Sequence, residues 1–119
     1  MSKASKRFVR DKLALVDASR DLRQALERYE KVSAEIAARV ERGEPGADAL
    51  KAVGGPARRL EVTDAMERFE AARRQVRLAM FALTNEEGTS ASELGRQLGF
   101  SRQLASRQGL AKEAKGTLS

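Results

Sequence analysis

Apolar residues recur every seven positions along the first third of the chain: Phe8, Leu15, Leu22, Tyr29 and Ile36. Ala18, Ala25, Leu26, Val32 and Val40 fill the same stripe, and the remaining faces are charged. This spacing predicts one long helix over residues 5–42, of the kind that packs lengthwise against another helix. At 1.5 Å per residue such a helix extends for about 55 Å, longer than a compact domain of this size requires. Gly43 is placed to end it. Both prolines (Pro45 and Pro56) and Gly43, Gly46, Gly54 and Gly55 then fall within residues 43–56, which read as a connector with a helical turn at Asp48–Val53. A second helix is expected over 57–85, where Val62, Phe69, Val76 and Leu83 again repeat every seven, with Met66 and Met80 between them. Two heptad helices joined by a short connector predict an antiparallel hairpin. The same stripe could serve a second copy of the chain, and the pattern leaves open whether the long helix pairs within the chain, between chains, or both.

A different pattern begins at Gly88-Thr89. Ser90 with Glu93 three residues on forms a capping box for a short helix through SELGRQL, which stops at Gly99. Phe100 lies in a turn, Ser101 can cap again, and RQLASRQGLAKEA continues as a further helix. Two short helices joined by a turn containing glycine form a helix-turn-helix. In that motif Gly95 is the small residue at the crossing, Leu94 and Leu98 face inward, and Gly99 permits the left-handed turn. Phe100 fills the gap between the helices and Ala105 lets the second one approach. Arg102, Gln103, Ser106 and Arg107 then share an outer face able to enter a major groove. The predicted architecture is all-α: a long N-terminal antiparallel hairpin followed by a C-terminal helix-turn-helix without a wing. The domain division falls at 1–60, the long helix and connector, and 61–119, the second long helix leading into the helix-turn-helix.

Composition removes most catalytic options. The chain has no cysteine and no histidine, so disulfides, thiolate chemistry and the commonest metal ligands and general bases are absent. Its acids sit four residues from bases at helical spacing, as in Glu27/Lys31, Glu35/Arg39 and Glu70/Arg74, and solvated ion pairs explain them. The expectation is a protein that is not an enzyme and carries no cofactor or metal. Aromatic residues make up only 4% of the chain, which favours helices packed on helices.

Charge points to the partner. The net charge is +6, and the pI near 10.2 favours polyanions such as nucleic acid or an acidic membrane surface. No apolar run approaches membrane-spanning length and MSKASKRFVR lacks the apolar stretch of a signal peptide, so the expected location is cytoplasmic, at the nucleoid. The first twelve residues carry Lys3, Lys6, Arg7, Arg10 and Lys12 against one acid, Asp11. In a hairpin this cluster lies at the same end as the C-terminal module; a frayed, solvated terminus accounts for it equally.

The stretch ELGRQLGFSRQLASR resembles the core of bacterial helix-turn-helix regulators and the DNA-binding end of sigma factors. RRQVRLAMFALTNEEG before it is similar to the supporting helix of such domains, so the resemblance covers residues 73–115. It implies that Ser101 and Arg102 meet phosphates at the helix start while Gln103, Ser106 and Arg107 face base edges. Arg96 and Lys112, with Lys3, Lys6 and Arg7, complete the expected DNA-binding set. Leu104 and Gln108 depart from the family's pattern, and Gly109 weakens the second helix by about 1 kcal/mol relative to Ala. No strand pair is read after Lys115, so the expected variant is the wingless one. The reading is a dimeric transcriptional regulator binding double-stranded DNA as a homodimer. The alternatives are an architectural, nucleoid-associated or partitioning DNA binder with little sequence preference, and a coiled-coil module whose long helices bind another protein.

Overall fold

The computed structural model describes residues 1–99, and within them the chain is all-α. Four helices follow one another: α1 (Lys3–Glu41), α2 (Gly46–Ala52), α3 (Gly55–Glu86) and α4 (Ala91–Leu98). The two long heptad segments are the two long helices, and the connector's helical turn is α2, which begins two residues earlier than its sequence suggested. The start of α1 is also earlier than expected. The Ser2 hydroxyl accepts a hydrogen bond from the Ser5 N–H at 3.1 Å, an N-cap that brings Lys3 onto the helix.

The helix ends follow local backbone chemistry. At the end of α1, Gly43 takes φ 98°, its N–H bonds to the Val40 carbonyl at 2.9 Å, and the Glu44 N–H reaches the Arg39 carbonyl at 3.0 Å. This paired closure satisfies carbonyls that the helix leaves over. The end of α3 repeats it, with Thr89 bonded to the Thr84 carbonyl at 2.8 Å and Gly88 to that of Asn85 at 3.1 Å.

The chain divides into two compact units, and α1 and α3 each contribute to both. In one unit, Leu15–Ala71, the two long helices run antiparallel: Arg28 pairs with Glu61, and Ile36 meets Gly55 further along. A Cβ at Gly55 would collide with Leu50 and stand 3.2 Å from Ile36 Cδ1, so a side chain at that position would crowd both neighbours. Arg58 adds a 3.0 Å ion pair to Glu61. The expected Glu35–Arg39 pair forms at 3.0 Å, and Glu44 joins Arg39 at 3.4 Å. The hydrogen bond from Arg39 to Glu35, then the field of Glu44, push that guanidinium's pKa up and keep it charged. Within this unit the long helix therefore pairs inside its own chain.

Among the described residues, the other unit joins residues 1–14 to residues 72–99. Here the start of α1 lies beside the end of α3, with Lys3 and Ala4 facing the same groove as Ala82 and Glu86. α4 docks through Leu94, which packs with Phe81 of α3, flanked by Met80 and Ala91.

The sheltered positions of both long helices alternate by three and four. On α3 they run Gly55, Arg58, Val62, Ala65, Phe69, Ala72, Val76, Ala79 and Leu83. The anticipated large residues occupy one column of this pattern: Val76 is buried, and Phe8, Leu15, Leu22, Ile36, Val62, Phe69 and Leu83 are half-buried. The deepest residues are small ones in the other column, Ala25, Ala65 and Ala79. Alanine there lets helix backbones approach closely, and the larger side chains flank the contact instead of filling it.

Several apolar expectations need correction. Tyr29 is 40% exposed, because it lies along an open groove where its ring can pack while its hydroxyl stays wet. Leu26 and Val40 stand one position beyond the sheltered columns, next to Ala25 and Arg39, and are exposed. Met66 is likewise displaced and exposed, whereas Met80 packs toward α4. Leu98, expected to face inward, is also exposed: it is the last residue of α4, one turn past the Leu94 contact.

Candidate nucleic-acid interface

The first helix of the expected helix-turn-helix is α4. Its start is fixed by Ser90, in extended conformation, whose hydroxyl accepts the Glu93 N–H at 3.1 Å. Its end is fixed by Gly99 at φ 75° and ψ 16°, a left-handed conformation that glycine adopts without the steric penalty of a Cβ. Between them Leu94 and Gly95 are buried. The apolar anchor beneath α4 is Phe81, which lies off the heptad columns of α3. Its neighbours Leu78 and Ala82 are sheltered too, so the last turns of α3 carry a second apolar face that the seven-residue count passes over.

The predicted DNA-contacting residues divide into three groups. Ser101, Arg102, Gln103, Ser106, Arg107 and Lys112 lie outside the described residues. Arg96 is exposed on α4 and ion-paired with Glu93 of the same helix. Lys3, Lys6 and Arg7 come together with Arg10 on α1, where they line a groove of about 560 Å³ with Ala4, Ala82 and Glu86.

The Ser2 cap adds Lys3 to that groove. With residue 3 already helical, Lys3, Lys6, Arg7 and Arg10 stand at i, i+3, i+4 and i+7, one face of a helix. Lys12 falls outside it, its ammonium 5.9 Å from the centre of the Phe8 ring. Asp11 is buried, at 8% exposure, and holds the two arginines: Arg10 Nε is 3.2 Å from its Oδ1 and Arg7 Nε 3.6 Å from its Oδ2. The buried Oδ2 accepts no hydrogen bond among the described residues. Sequence reasoning counted Asp11 only as the lone acid of a basic run. The signal for its position was available, since residue 11 lies midway between Ala4 and Ala18 in the sheltered column.

A second, less charged groove of about 670 Å³ occupies the other unit, bordered by Tyr29, Ile36, Leu50, Pro56, Arg59 and Leu60 among others. Among the described residues no group of three acids is placed to hold a metal ion, and no helix is long and apolar enough to cross a membrane. Comparison with protein-family models, with curated proteins and with solved structures finds no match to this chain.

Proposed function

We propose that the chain binds duplex DNA as a dimeric transcriptional regulator, with the helix expected over 102–114 in the major groove. The observation that carries this reading is α4. It is a short helix capped by Ser90, ended by a left-handed Gly99 and seated through Leu94 on Phe81. These are the requirements for the first helix of a helix-turn-helix, and the residues that follow supply Arg102, Gln103, Ser106 and Arg107 in the register of a recognition helix. The net charge of +6 supports a polyanionic partner. Arginine and glutamine favour guanine and adenine edges, each good bidentate contact contributing about 1–3 kcal/mol of discrimination.

One recognition helix buries little surface, so two copies are proposed to act together on half-sites about 34 Å apart. In the unit Leu15–Ala71 the sheltered face of α1 is engaged with α3. A second copy would therefore use side chains left exposed there, Tyr29, Leu50 and Leu60. The same exposed groove favours the second reading, a module that binds another protein.

Selection from a random duplex pool tests the proposal. A regulator enriches a palindromic site and prefers it at least about a thousandfold over scrambled DNA. An architectural binder shows near-equal affinity for both. A protein-interaction module selects nothing.

A further inference from the structure

We infer that the groove formed by Lys3, Lys6, Arg7 and Arg10 is a second DNA contact, a surface for the phosphate backbone. The inference rests on the DNA-binding reading above and assigns a separate face to it. Among the described residues, four cations line one concavity and Glu86 is the one acid that borders it, with Asp11 buried beside Arg7 and Arg10. Clustered like charges repel one another, and a polyanion relieves that repulsion while releasing its own counterions. A cluster serving solubility alone gains nothing from gathering on one helix face.

Two further features suit phosphates. Lys3 and Lys6 are exposed, with mobile ammonium groups that tolerate variable spacing along a backbone. Arg7 and Arg10 instead turn Nε toward the buried Asp11, Arg10 hydrogen-bonded to it at 3.2 Å and Arg7 ion-paired at 3.6 Å, which biases where their guanidinium groups stand. The face is therefore half adaptable and half oriented. Its charge is mostly cationic, which suits phosphates, the part of a duplex that is the same for every sequence. It also shares a compact unit with α4, the helix that precedes the proposed recognition helix.

The test is duplex binding by fluorescence anisotropy across a salt series, with Lys3→Ala/Lys6→Ala beside the wild-type chain. This pair leaves Asp11 and its arginines intact, and circular dichroism verifies the fold. Without these two ammonium groups on the phosphates, the slope of log K against log salt should flatten by about 2, and binding should weaken about tenfold or more near 0.1 M salt. Lys3→Arg/Lys6→Arg should restore both. Lys31→Ala/Lys51→Ala removes the same charge outside the groove and should change neither. An unchanged slope in Lys3→Ala/Lys6→Ala, with wild-type binding still abolished by Arg102→Ala/Arg107→Ala, overturns the groove and leaves the DNA reading standing. Equal weakening by both lysine pairs reduces the effect to net charge and also overturns it. If the groove pair no longer binds anionic phospholipid vesicles while its duplex binding is untouched, the surface is a membrane contact and the inference fails. Wild-type protein that ignores duplex DNA at low salt overturns both proposals.

Discussion

Leu94 of α4 packs against Phe81 of α3, and the two side chains are 2% and 3% exposed. This contact joins the short capped helix to the long one. It occurs on a face of α3 that takes no part in the heptad columns, so one helix serves two partners. Any recognition helix that follows Gly99 is aimed by the seat of α4. Leu94→Ala should therefore cost about 2–4 kcal/mol at this contact. In hydrogen exchange, amides of residues 91–98 should lose protection while those of 15–41 keep theirs. Equal loss in both segments would mean that α4 does not dock as a separate element.

Ser90 sets the start of α4 with a single hydrogen bond. Ser90→Ala should destabilise the helix by about 1 kcal/mol, and Ser90→Asp should retain the cap. Local exchange rates at 91–94 report the difference, and duplex affinity should follow the same order. Indifference to alanine would show that docking through Leu94 alone holds the helix.

The alanine column makes a prediction that a large-residue core would not. Ala65 is buried in the unit Leu15–Ala71, so Ala65→Leu should overpack it and cost about 1–3 kcal/mol by urea denaturation. Met66→Leu, one position away and exposed, should stay within about 0.5 kcal/mol of wild type. A stabilising Ala65→Leu would mean that the helices stand further apart than the burial of these alanines implies.

The proposed dimer contact, the groove of Tyr29, Leu50 and Leu60, should separate dimerisation from folding. Leu60 is 61% exposed, so Leu60→Asp should leave the thermal midpoint within a few degrees of wild type while halving the sedimenting mass. Leu22→Asp should instead unfold the hairpin, because Leu22 occupies the sheltered column. Wild-type protein that sediments as a monomer at every concentration would remove the dimer from the account.

Much of this architecture was legible because helix signals are local. Heptad spacing marked both long helices, paired prolines and glycines marked the connector, and the Ser90/Glu93 box with Gly99 marked α4. The misplacements have physical causes. A seven-residue count rewards large side chains, so it favoured Tyr29, took Leu26 and Val40 into the same stripe, and passed over Ala65 and Ala79, whose value lies in being small. Phe81 falls outside the seven-residue count because it packs with α4, on a different face of α3. The basic groove was half legible: the charges were evident, but their common face required the Ser2 cap to bring Lys3 into the helix.

The central claim is that the C-terminal module reads DNA, and the most direct measurement is anisotropy of the purified chain on a random duplex pool across salt. The Arg102→Ala/Arg107→Ala variant is measured beside it. The account predicts tight binding by the wild-type chain with a steep salt dependence, abolished in the variant while its circular dichroism is unchanged. Binding that is weak even at low salt, or indifferent to both arginines, would contradict it.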